Sequence, residues 1–115
     1  MSARPTASGG EVFARVTTIG EAPPERLDDM THEGIDHVLP ALRQQDGFCG
    51  ALVLVERASG KVLGLTLWES EQAMNATEEA AYWLRIFSAE AAGGIITDVE
   101  RYEVIFSEEV KGARP

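Results

Sequence analysis

The sequence predicts an α+β domain of the ferredoxin-like type, in the order βαββαβ, with a four-stranded antiparallel sheet and two helices on one of its faces. Three observations lead there. Residues 11–19, 48–56, 62–68 and 95–106 are rich in β-branched and apolar side chains and are bounded by Gly, Pro or Asp signals, as strands are. The two longer stretches, after the first strand and after the third, carry apolar residues at helical spacing. Between the second and third strands stands only RASGK, which makes them a hairpin.

Each element has a local reason. EVFARVTTI (11–19) is β-branched and roughly alternating. Pro23 and Pro24 suit a helix start, because a first-turn N–H has no partner to lose, and ERLDDMTHEGIDHVLPALRQQ follows. Pro40 cannot supply the i→i−4 bond, so a kink or a second short helix is expected there. Asp46-Gly47 ends the segment, and FCGALVLVE (48–56) and VLGLTLW (62–68) form the hairpin. Ser70 can cap a second helix running to about Ala92, with Glu71 at its positive end and Gly93-Gly94 as its stop. IITDVERYEVIF (95–106) is the last strand. A single domain is expected over 11–108, with a flexible leader at 1–10 and a tail at 109–115.

Composition excludes several function classes. A chain of 115 residues supports one core, and a net charge of −9 would repel a phosphate backbone, so no nucleic-acid partner is expected. Cys49 is the one cysteine, which rules out an internal disulfide and suggests a reducing, cytoplasmic setting. No apolar run approaches the roughly 20 residues that span a bilayer, and MSARPTASGG lacks the apolar stretch of a secretory signal. No membrane partner is expected.

The two middle strands are apolar on both phases. Leu63, Leu65 and Leu67 lie on one side, and Val62, Gly64, Thr66 and Trp68 on the other. Two helices cover only one face of such a sheet, and a solvated second face would be polar. The same sheet of a second subunit is the expected cover, which predicts a homodimer joined face to face.

THEGIDHV (31–38) comes close to a zinc-peptidase helix, His-Glu-x-x-His, but the second histidine arrives one residue late. His32 and His37 then point about 140° apart at roughly 100° per residue, so they cannot share one ion on a straight helix. No metal site is expected. Leu27, Thr31, Gly34, Val38 and Leu42 form the stripe facing the sheet. His37 borders that stripe, where its ring would reach a pocket beneath the helix and serve proton transfer, or would simply bond a carbonyl or water.

The Trp68 phase offers the other candidate site. Gly64 and Thr66 are small, so if this phase faces the helices they leave a cavity walled by Trp68 and by Leu84, Phe87 and Trp83, with Asn75 as a polar candidate. The alternative is that Trp68 fills core volume. Tyr82 projects outward at helical spacing, and Cys49 is read as packing like a small hydrophobe.

The run DGFCGALVLVERASGKVLGLTLWESEQAMNA resembles the dimeric α/β-barrel superfamily in its antibiotic-biosynthesis-monooxygenase-like branch. The matching words are Gly47-Phe48, Gly50, Trp68-Glu69-Ser70 and Ala73-Met74, within a likeness over about 11 to 106. The resemblance implies a dimeric barrel. It also implies a possible cofactor-independent oxygenase of aromatic or polyketide-like molecules, with His37 as base, Trp68 as pocket wall and no cofactor. The alternative is a non-catalytic ligand-binding or structural dimer of the same fold, and an acid–base isomerase or lyase is a third reading the fold allows. Haem-degrading members also use an asparagine on the first strand and a late histidine. Here VFARVTTI has Arg15 near that position and no histidine follows His37, so the likeness does not extend to haem ligation. The asparagine that anthrone-type oxygenases pair with the tryptophan is also missing, since the strand before Trp68 offers only Gly64 and Thr66.

Overall fold

A computed structural model describes residues 12–108; the expected leader and tail lie outside them. The strands are β1 (Val12–Gly20), β2 (Phe48–Glu56), β3 (Lys61–Trp68) and β4 (Ile95–Val104), in the sheet order β2-β3-β1-β4 with every neighbour antiparallel. This is the ferredoxin-like arrangement expected. β4 ends at Val104 rather than Phe106, and Ile105 and Phe106 continue beyond it as exposed side chains.

The first helical segment starts with a 3₁₀ turn (Pro24–Arg26), runs through α1 (Leu27–Glu33), widens into a π turn (Gly34–Val38) and continues as α2 (Leu39–Arg43). The Leu39 N–H reaches back five residues to the Gly34 carbonyl. Pro40 explains the widening. It has no N–H to offer Asp36, and its ring would crowd that carbonyl, so one extra residue is accommodated in the turn before it. Leu27, Met30 and Leu42 are buried and Val38 packs on the core, but Thr31 faces solvent and bonds back to the Leu27 carbonyl at 2.9 Å. Met30 takes the place on the sheet-facing stripe that the sequence reading gave to Thr31.

The second helical segment is broken where one helix was expected. α3 (Glu71–Ala76) and α4 (Glu78–Ala92) meet at Thr77, whose backbone leaves the helical region at ψ 13°. The Thr77 hydroxyl donates to the Met74 carbonyl at 2.9 Å, and the Arg15 guanidinium donates to that same oxygen. Two side chains thus take a carbonyl that helix continuation would have used. The flanking signals behave as expected. Ser70 accepts the Ala73 N–H at 3.0 Å, and Gly93 closes α4 in the left-handed region at φ 70°.

The Trp68 phase of β3 faces the helices. Register places Val62, Gly64, Thr66 and Trp68 beside Ile19, Thr17, Arg15 and Phe13 of β1, and Ile19 and Trp68 belong to the helix-packed core. That core has two parts. One is built around Leu27, Met30, Ile19 and Val62, the other around Leu42, Trp68 and Met74. The opposite sheet face presents Leu52 and Leu54 of β2, Leu63, Leu65 and Leu67 of β3, and Val16 of β1, with no element of the described chain over it.

Gly60 closes the β2–β3 hairpin at φ 76° and accepts the Ala22 N–H at 3.0 Å. A Cβ there would stand 2.5 Å from the Ala22 carbonyl oxygen. Gly60→Ala is expected to cost about 1–3 kcal/mol through backbone strain. Urea unfolding measures it, and an unchanged midpoint would mean that the turn relaxes freely.

Candidate functional site

Between the two parts of the core the sheet carries no bulk. Val62 belongs to one part and Trp68 to the other, and Gly64 stands between them. A Cβ built on Gly64 meets no atom within 4 Å. Its β2 partner, Val53, is 60% exposed, so the open space over Gly64 reaches the edge of the sheet. Gly34, which separates Met30 from Val38 in sequence, also has nothing within 4 Å of an added Cβ. We read the open space over Gly64, Thr66 and Val53, with the Trp68 cluster at one end, as a shallow apolar trough.

Trp68 is 0% exposed and fully engaged. Its indole N–H donates to the Thr66 hydroxyl at 2.9 Å, Phe48 meets it edge-on with centroids 5.6 Å apart, and the Arg15 guanidinium lies 5.3 Å from its ring centre.

Arg15 is the unusual residue of this region, a charged side chain only 2% exposed on the inward phase of β1. Its Nε donates to Glu78 Oε2 at 3.1 Å, and Nη2 donates to the Met74 carbonyl and, at 3.4 Å, to the Thr77 hydroxyl. Nη1 is buried with no partner, and so is Nη1 of Arg85 on α4. Arg101, opposite Arg15 on β4, grips Glu78 with two bonds of 2.8 Å. Burial lowers the affinity of Arg15 for its proton, partly offset by Glu78, and burial lowers that of Arg85 as well. Both stay charged, because guanidinium pKa values lie so far above neutrality. The Arg101 hydrogen bonds hold the Glu78 carboxyl below its usual range, with Arg15 adding to the effect. One carboxylate thus bonds two guanidinium groups and attracts a third, that of Arg85, through space.

The structure scatters the residues singled out from the sequence. Gly64, Thr66 and Trp68 come together, and Leu84 packs against the Trp68 cluster. Trp83, 62% exposed, stands with Tyr82 on the outer side of α4, and Phe87 and Asn75 are exposed too. His37 is 63% exposed, lies 3.4 Å from Glu33, and meets Phe87 edge-on at 5.9 Å. Its ring thus lies outside, between the helices, rather than beneath its own helix. His32 is exposed, and among the described residues no three His, Cys, Asp or Glu side chains gather as metal ligands would. Cys49 does not pack as a hydrophobe. The β2 register shifts between Phe48 and Gly50, which leaves Cys49 as the unpaired bulge residue, exposed. Two surface grooves, of about 390 and 470 Å³, lie elsewhere, beside Phe87 and Glu90 and beside Gln44 and Ser70.

Glu78, Arg85 and Arg101 were missed by the sequence reading, and Arg15 was noted only for its position. Arg15 did carry a signal, since it shares a strand phase with Phe13 and Ile19. Glu78 and Arg101 carried none, because their meeting depends on register and on the helix break.

No protein-family model matches the chain. The uncharacterized protein Rv2557 of Mycobacterium tuberculosis is 38% identical over 96 residues, which is 84% of this chain and 42% of that protein. A second protein of that organism, the uncharacterized Rv2558, is 42% identical over 71 residues, 62% of this chain and 30% of that one. The chain thus spans less than half the length of the curated relatives it matches. Among solved structures, a monooxygenase from the gene ActVA-Orf6 of Streptomyces coelicolor, in complex with the ligand nanaomycin D, superposes with a TM-score of 0.58 at 18% identity, over 88% of this chain and 92% of that one. SnoaB, a cofactor-independent oxygenase from Streptomyces nogalater, does so with a TM-score of 0.56 at 12% identity, over 88% and 98%. NE2512, a protein of unknown function from Nitrosomonas europaea, gives 0.57 at 19%, over 90% and 100%. No helix among the described residues is long and apolar enough to cross a membrane. The chain has the fold of the antibiotic biosynthesis monooxygenases.

Proposed function

We propose that this domain binds a flat, largely apolar small molecule in the trough over Gly64, as one half of a homodimer joined through the leucine face of the sheet. The observation that carries the reading is the divided core. A chain of this size has little apolar volume to spare, yet it leaves Gly64 and Gly34 facing empty space. The ligand nanaomycin D bound by the S. coelicolor neighbour supports a small-molecule ligand. The dimer is supported by the uncovered Leu52, Leu63, Leu65 and Leu67, and by curated relatives more than twice as long as the segment they share, long enough to hold a second such unit in one chain. A reducing, cytoplasmic setting is part of the reading and rests on the lone exposed thiol of Cys49.

A second reading, a cofactor-independent monooxygenase, is favoured by the two Streptomyces enzymes of the same fold. In that reading a substrate held as its carbanion or phenolate passes an electron to oxygen, and cationic Arg15 and Arg85 favour the ionised form. His37 lies outside the trough and Glu78 is committed to two arginines, so the substrate would have to ionise readily by itself. Binding is therefore the reading the geometry favours.

Gly64→Leu separates an open trough from a packed one. It is expected to abolish ligand-induced thermal stabilisation by flat aromatic compounds while lowering stability by less than about 1 kcal/mol, below the typical 1–3 kcal/mol of overpacking. A large fall in melting temperature, with no ligand response from the unaltered protein, would leave only a structural role for this region.

A further inference from the structure

The sheet face that the helices leave bare is apolar at its centre and charged along two of its margins. Strand register lays the face out in rows. Leu54, Leu63, Thr18 and Asp98 form one row across β2, β3, β1 and β4, and Leu52, Leu65, Val16 and Glu100 form the next. The leucines are thus bordered along β4 by two carboxylates. At the hairpin end, one row beyond Leu63, the same phase carries Lys61 beside its cross-strand neighbour Glu56. Lys61 is the one cation among the strand residues of this phase. Glu56 takes the Ser59 hydroxyl at 2.5 Å, and among the described residues neither Lys61, Asp98 nor Glu100 makes an ion pair.

A second copy seated on this face has to accommodate those charges. Identical sheets packed face to face are related by a two-fold axis lying between them. If the axis runs across the strands, β4 of each copy lies over β4 of the other, and the carboxylates of Asp98 and Glu100 confront their own images. Opposed like charges penalise such an arrangement strongly. If the axis runs along the strands, β4 of each copy lies over β2 of the other. Asp98 then stands one strand and one row from Lys61 of the partner subunit. Packed sheets lie about 10 Å apart, a gap that a lysine and an aspartate side chain span together.

Resting on the homodimer reading above, we propose that the occupant of this face is a second copy set with β2 over β4, each Asp98 paired with Lys61 of the partner subunit. Two-fold symmetry makes the pair twice. The leucines of both copies meet between the two pairs, so apolar burial holds the dimer and the charges select its orientation.

Sedimentation equilibrium of the full chain and of three charge variants tests this. Asp98→Lys and Lys61→Asp are each expected to raise the dimer dissociation constant at least about tenfold, because either sets like charges against each other. The double variant, Asp98→Lys with Lys61→Asp, is expected to return to within about threefold of the natural chain, since the pair is restored with its signs exchanged. Both side chains are exposed, so the folded chain tolerates either change. Tighter association of Asp98→Lys would mean that β4 lies over β4, and it overturns the arrangement. Single variants that weaken the dimer without recovery in the double overturn the Asp98–Lys61 pair. If neither single variant has an effect, both charges lie outside the interface, and the proposal falls while the dimer stands. A natural chain that is monomeric at micromolar concentration overturns the proposal and the dimer reading together.

Discussion

Leu65→Glu is expected to convert the protein from a dimer into a monomer. Leu65 is the middle residue of the leucine phase of β3 and has Leu52 of β2 and Val16 of β1 at its sides. Around it lies an apolar face that no helix of the described residues covers, although the helices cover the other face of the same strands. A standard interface buries about 1,600 Å² in total. At roughly 25 cal/mol per Å² of apolar area, that is ample to drive association once ordering and rigid-body costs are subtracted. A carboxylate at the centre would have to be buried unpaired, which is far costlier than losing one leucine. Val53→Glu, on the helix side of the neighbouring strand, is expected to leave the assembly intact. Sedimentation velocity at micromolar concentration reads all three proteins. A well-folded monomer before any substitution would remove the argument from strands that are apolar on both sides.

The second large effect is expected at Glu78. Glu78→Gln keeps the shape of the side chain but leaves three guanidinium groups facing one another, with Arg15 almost wholly out of water. Breaking a buried ion pair costs about 3–5 kcal/mol. The partial exposure of Glu78 places the expectation at the low end, about 3 kcal/mol. The same group gives stability a pH dependence. Its folded carboxyl is held below the unfolded value near 4.3, first by the Arg101 hydrogen bonds and then by Arg15. The stabilisation is therefore complete above about pH 4–5 and is lost as pH falls through the lowered folded value. Melting temperatures from pH 7 down to pH 3 should descend more steeply for the natural chain than for Glu78→Gln. Parallel curves would mean that Glu78 does not stabilise the fold through its charge.

Almost all of the fold was legible in the sequence. Strand alternation, the Pro23-Pro24 helix start, the Ser70 cap and the Gly93 stop are local signals, and each acts within a few residues of where it stands. The two-sided apolar character of β3 was equally plain, because strand periodicity assigns faces without reference to other elements. The departures occur where a distant residue intervenes. Thr77 breaks the second helical segment because Arg15, far away in sequence, competes for the Met74 carbonyl. The π turn before Pro40 carries His37 to the surface beside Phe87, a contact with another helix that spacing along one helix cannot reveal.

The candidate site divides the same way. Composition and phase marked Gly64, Thr66 and Trp68 as a place where one side of a strand lacks bulk. They left undecided whether that side met the helices or a second sheet, which only the helix packing resolved. The arginine cluster was beyond reach, since Arg15, Glu78 and Arg101 come from β1, α4 and β4 and meet only through register and the Thr77 break. The sequence by itself determined the order of elements, the phases of the strands and the existence of an apolar face in need of cover, because local dihedral preference and periodicity specify these. The tertiary structure alone decided which phase lies inward and which charges meet there, because both depend on contacts between segments that are remote along the chain.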